Sequence, residues 1–169
     1  MCGNDGLTYT SPCALNEESV RRDGSPHLPQ LNMAYWGPCV EPPTIISPPS
    51  DTYGPMGANL TLDCEARGFP APIITWQYEN VDGNTIYLPS DDQARIVEQN
   101  ELIIISKYQC LQDISIQMRG GPDINMVTGW AQILSLSPDY SGVYHCIAEN
   151  VEGKVHARAV VGVYRKEEL

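Results

Sequence analysis

The run Asp139-Tyr-Ser-Gly-Val-Tyr144-His-Cys146 decides how the rest of the chain reads. Far upstream of it stands Cys64, and Trp76 follows that cysteine by twelve residues. Around these markers the hydrophobic pattern has a period of two. Leu60, Leu62 and Cys64 fall on one face of an extended segment, with Asn59, Thr61 and Asp63 on the other. Ile74, Trp76 and Tyr78 share a face, as do Val155, Ala157, Ala159, Val161 and Val163. Alternation of this kind, interrupted by Gly, Pro, Asn and Asp turns, argues for half-buried antiparallel strands. Helix signal is almost absent from this part of the chain.

Cys64, Trp76, Tyr144 and Cys146 together resemble an immunoglobulin sandwich. In that fold two cysteines bridge the sheets, a tryptophan packs on the bridge, and a tyrosine two residues before the second cysteine bonds back to the backbone. The resemblance implies a Cys64–Cys146 disulfide with Trp76 and Tyr144 in the core. On the chain-entropy account such a loop contributes about 4–5 kcal/mol. Asp139 would then make the structural salt bridge beneath the turn ahead of that run, with Arg95 as a candidate partner, and it is not a catalytic acid. Gly68-Phe-Pro70-Ala-Pro72 and Ala148-Glu-Asn150 with Gly153 are similar to the intermediate (I-set) subtype.

Composition bounds the function. The 169 residues carry 10 Lys plus Arg against 21 Asp plus Glu, a formal charge of −11. Such a surface repels phosphate backbones, and the basic residues are scattered, so no nucleic-acid partner is expected. The longest apolar run, Leu102 to Ile105, is far short of the roughly 20 residues that span a bilayer, so no membrane insertion is expected. Six cysteines suit an oxidising, extracellular compartment. No Cys-x-x-Cys pair occurs, and His27, His145 and His156 are far apart, which removes the common zinc and thioredoxin signatures. No nucleophile elbow, phosphate-binding loop or paired carboxylates appear, and Ser141 has no sequence reason to pair with a histidine. The expectation is a non-enzymatic protein with no cofactor and no metal. Met1 is followed at once by Cys2 without an apolar export segment, so the sequence reads as a mature fragment or an incomplete gene product.

The composition breaks near residue 40. Pro42-Pro43 and Pro48-Pro49 bracket Ile45-Ile46, and prolines this dense favour extended backbone while excluding central-strand pairing. The expected organisation is a module over residues 1–40, a proline-rich linker and first strand over 41–50, and a sandwich domain over 51–169. Two segments exceed a simple sandwich. Glu101 to Ser106 and Asp113 to Gln117 both read as extra or lengthened strands at a sheet edge.

Ahead of the break, Cys2-Gly-Asn-Asp-Gly-Leu-Thr8-Tyr9 with Cys13 resembles the central motif of Kazal domains, with Ala14 to Arg22 as the short helix that follows. Gly37 and Cys39 match the end of that module. The resemblance implies a Cys2–Cys39 disulfide. It also implies a degenerate module: the sequence opens at the family's third cysteine, Val20 stands near the position of the fifth, and Ser11 replaces the asparagine that braces the inhibitory loop. Without that rigid loop, substrate-like protease inhibition lacks its physical basis.

Kazal and immunoglobulin modules in tandem resemble the insulin-like growth factor-binding protein 7-type family of secreted proteins. The likeness is sharpest at Arg119-Gly-Gly-Pro122, Val127-Thr-Gly-Trp130 and Asp139 to Cys146. It implies a mainly β fold with one short helix and a secreted binding protein. The partners it implies are an insulin-like peptide or other growth factor, a receptor or a matrix protein. The family's own growth-factor-binding module is not in this sequence, and the stretch 90–117 is longer than the family pattern.

Several residues stay open at this stage. Cys13 and Cys110 could pair with each other, stay free, or, for Cys110, bridge two chains in a homodimer; geometry decides, because Cα atoms more than about 7 Å apart are not bridged. Asn59-Leu-Thr61 is the one N-glycosylation sequon, on the face opposite Leu60 and Cys64. Leu102, Ile103, Ile104 and Ile105 read either as a buried strand or as an edge strand that pairs with a partner or a second copy. The rival readings of function are a homophilic adhesion or structural protein and, behind it, a Kazal-type inhibitor. Region 90–118 is the expected binding surface.

Overall fold

The computed structural model describes residues 1–23, 29–88 and 113–165. The chain divides into two compact units, Met1–Glu41 and Pro42–Leu169.

In the first unit a short ribbon pairs β1 (Cys2–Gly3) with β2 (Met33–Tyr35), and one helix, α1 (Pro12–Asp23), lies between them in sequence. Local chemistry sets where α1 begins. The Ser11 hydroxyl accepts the Ala14 N–H at 3.1 Å, and Pro12 follows, where its missing N–H leaves no helical bond unmade. The expected helix over Ala14 to Arg22 thus begins two residues earlier and ends one later, because this cap and proline extend its first turn. Arg21 and Arg22 occupy the last turn, the favourable end of the helix dipole for cations. Cys2 and Cys39 form a disulfide with Cα atoms 4.7 Å apart.

The second unit is a two-layer sandwich. β3 (Glu41–Ser47), β5 (Leu60–Phe69), β9 (Met126–Ile133) and β8 (Ile114–Gly120) form one sheet in the order β3-β5-β9-β8. The other runs β4-β11-β10-β6-β7, built from β4 (Thr52–Pro55), β6 (Ile73–Asn80), β7 (Thr85–Leu88), β10 (Gly142–Asn150) and β11 (Gly153–Tyr164). β4 runs parallel to β11, and β6, β7, β10 and β11 pair antiparallel. Within the proline-rich stretch 41–50, Glu41–Ser47 forms the edge strand β3, and Pro42 and Pro43 lie at a sheet margin, where a missing ladder donor is tolerated.

Alternation in sequence becomes alternation in burial. Leu60, Leu62, Cys64 and Ala66 of β5 point inward, as do Ile74, Trp76 and Tyr78 of β6 and Tyr144, Cys146 and Ala148 of β10. Among the described residues, nineteen buried ones form one continuous core. Asp113 to Gln117 falls at the start of β8, an edge strand of the four-stranded sheet. Glu101 to Ser106 lies outside the described residues.

Candidate functional site

Cys64 on β5 and Cys146 on β10 join the two sheets, with Cα atoms 6.4 Å apart and neither residue exposed. Trp76 is the register partner of Cys146 on the neighbouring strand and is likewise fully buried. Its indole therefore lies beside the bridge, with Nε1 buried and unpaired. Across β5, Cys64 pairs with Gly129. A Cβ at Gly129 would stand 2.5 Å from Ile74 Cγ2 on the opposite sheet. The glycine of Val127-Thr-Gly-Trp130 is thus required by the sheet separation beside the disulfide.

Two tyrosines fix the turn ahead of β10. The Tyr144 hydroxyl donates to the Tyr140 carbonyl at 3.1 Å, within a short 3-10 turn at Pro138–Tyr140. The Tyr78 hydroxyl lies 2.6 Å from the Asp139 carbonyl and 2.9 Å from that of Ser141. The two rings stand 5.0 Å apart. Burial pushes the Tyr144 phenol far above its ordinary pKa, so it stays protonated and donates at any physiological pH. Tyr144 was marked as core from the sequence. The second anchor, Tyr78, was read only as a position on a strand face. Asp139 contributes its backbone carbonyl to this cluster, and its expected partner Arg95 lies outside the described residues.

The first unit carries a polar cluster centred on Asp5. The Asp5 carboxylate accepts the Leu7 N–H at 3.1 Å and the Tyr9 hydroxyl at 2.8 Å, and meets Arg22 at 2.8 Å. Arg22 also bonds Glu18 at 3.1 Å. Desolvation pushes the Asp5 carboxyl up, but the Leu7 N–H, Tyr9 and Arg22 together hold it below its ordinary pKa. Thr8 Oγ1 accepts the Cys39 N–H at 2.9 Å, and Gly6 sits at φ +78°, where side-chain-bearing residues are strained. Gly3 is needed for a different reason, because a Cβ there would crowd Asp5 and Tyr9. The polar residues of the motif, Asp5, Thr8 and Tyr9, are thus spent on holding the unit together. The signal for Arg22 was its i,i+4 spacing from Glu18; its contact with Asp5 had none.

The remaining positions are spread out. Cys13 is exposed and its thiol is free. Cys110 and Leu102 to Ile105 lie outside the described residues, as does most of region 90–118. Asn59 and Thr61 are both exposed, flanking buried Leu60 at the start of β5. No helix among the described residues is long and apolar enough to cross a membrane. No group of three or more His, Cys, Asp or Glu side chains among them could hold a metal ion.

Against known families, residues 42–150 match the immunoglobulin domain. The chain belongs to the immunoglobulin-domain family. Residues 1–39 match the Kazal-type serine protease inhibitor domain. The immunoglobulin-domain chain is 39% identical over 96% of its length to an insulin-like growth factor-binding protein-related protein 1 from Cupiennius salei, covering 53% of that protein. It is 34% identical over its full length to the human Kazal-type serine protease inhibitor domain-containing protein 1, covering 47% of it. With the human insulin-like growth factor-binding protein-like 1 the identity is 32% over 96% of the chain and 53% of that protein. The chain therefore spans about half the length of the curated relatives it matches. It has the Kazal-plus-immunoglobulin build of the insulin-like growth factor-binding protein-like group. Titin domain M7 superposes with a TM-score of 0.52 at 18% identity, over 76% of this chain and 99% of that domain, a likeness of fold alone.

Proposed function

We propose that the chain is the Kazal–immunoglobulin part of a secreted, non-enzymatic binding protein that modulates insulin-like or other growth-factor signalling, or engages a matrix or cell-surface protein. The observation that carries this reading is the shared module pair, aligned over 96% of the chain with an insulin-like growth factor-binding protein-related protein. Two disulfides within the chain support an oxidising, extracellular setting. The cross-braced sandwich supports recognition by a rigid surface, since a preorganised scaffold loses little entropy on binding. Asn59 is proposed to carry an N-linked glycan, supported by the exposure of both Asn59 and Thr61.

Calorimetric titration of the chain with an insulin-like peptide tests the hormone version. A saturable heat at micromolar concentration is expected. No heat up to high micromolar concentration would remove that version and leave the matrix or receptor version, which immobilised extracellular matrix proteins test in turn.

A further inference from the structure

One contact between the two sheets of the sandwich is made through sulfur. Met118 lies on β8 and shares the inward face with buried Ile116, two residues earlier. Its ladder partner is Gly129, whose own partner on β5 is Cys64. Gly129 has no side chain to fill its place in that row, and Ile74 of the opposite sheet occupies the space. β6 thereby comes close enough for the Ile74 N–H to donate to the Met118 sulfur at 3.3 Å. The position of Ile74 explains why this acceptor matters. β6 has β10 beside it from Ile73 to Asn80, but β7 only from Trp76 to Glu79. On the β7 side, Ile74 has no ladder partner among the described residues, and a thioether takes the place of a strand carbonyl.

Met118 is also open to solvent. It is 48% exposed, between Met33 at 42% and Met56 at 52%, so a small oxidant reaches all three. Of these, Met118 is the one whose sulfur accepts a hydrogen bond among the described residues. Hydrogen peroxide oxidises a thioether by two electrons. A sulfur lone pair attacks one peroxide oxygen, the O–O bond breaks, the S–O bond forms, and the second oxygen leaves as water. An oxygen added on the side of Ile74 has no room within a 3.3 Å sulfur–nitrogen contact. One added on the solvent side withdraws the electron density that the N–H uses, since a thioether is a weak acceptor to begin with. Either way the side chain becomes polar and turns toward water. We propose that Met118 is an oxidation site, and that its conversion to the sulfoxide by peroxide releases the Ile74 N–H and with it the link between β8 and β6. The inference is independent of any growth-factor partner.

Amide hydrogen exchange read residue by residue by NMR, before and after peroxide treatment of the whole chain, tests it. Peptide mass spectrometry follows oxygen gain at each methionine in parallel. Met118 should gain oxygen at the peroxide levels that convert Met33 and Met56. The Ile74 amide should then exchange about threefold to tenfold faster, the equivalent of one hydrogen bond. Met118→Leu, which keeps the volume and removes the acceptor, should show the faster Ile74 exchange from the start and no further response to peroxide. Three results would each overturn the proposal: a Met118 that stays reduced while Met33 and Met56 are converted, an Ile74 amide unchanged or slowed once Met118 is fully oxidised, or a Met118→Leu chain that keeps either the protection of Ile74 or its peroxide response.

Discussion

The two units of this chain are held together by different physics. Among the described residues of Pro42–Leu169, a core of nineteen buried ones encloses the Cys64–Cys146 bridge, and the bridge is one contributor among many. In Met1–Glu41 the buried hydrophobic side chains among the described residues are Cys2, Leu31 and Cys39, and two of those three are the disulfide itself. A unit this small cannot bury enough apolar surface to offset its chain entropy. It relies on a covalent link and on the Asp5–Tyr9–Arg22 cluster instead. Polar networks therefore matter most where the core is thinnest.

The largest effect should come from emptying the thick core. Trp76→Ala is expected to cost about 3–5 kcal/mol, read as a lower midpoint of denaturant unfolding for the sandwich, with hydrogen exchange in residues 1–23 unchanged. Cys2→Ala with Cys39→Ala removes about 2–5 kcal/mol from a unit with little else. Peptides from residues 1–41 should then exchange as an unfolded chain while β5, β6 and β10 stay protected. Equal loss in both units would erase the distinction between them. Tyr144→Phe leaves the Tyr140 carbonyl without its buried donor, at a cost of about 1–3 kcal/mol, and a lower sandwich melting temperature checks it.

The smallest effect concerns pH. A carboxyl whose folded pKa is depressed contributes stability above its unfolded pKa, roughly 3.9 for Asp, and that contribution is lost as pH falls through the folded value. The first unit should thus lose protection in acid over that window, and Asp5→Asn should flatten the dependence while the sandwich is unaffected. An unchanged acid profile in Asp5→Asn would show that the cluster contributes nothing to stability.

Legibility in the sequence follows the same division. Cys64, Trp76, Tyr144 and Cys146 announce the sandwich because strand alternation and the tyrosine run are local patterns with a fixed spatial meaning. The edge position of Asp113 to Gln117 was readable for the same reason. Arg22 was not, because its partner Asp5 lies across the fold from the helix and nothing in the spacing links them. Gly129 was visible as part of an unusual signature, yet its cause, the nearness of Ile74, exists only once two sheets pack.

Hydrogen exchange followed along a reductant titration tests the contrast most directly. The account predicts that residues 1–23 and 29–41 lose protection first, at reductant levels that leave β5, β6 and β10 protected around the fully buried Cys64–Cys146 bridge. Loss of protection in both units at one reductant concentration, or in the sandwich first, would contradict it.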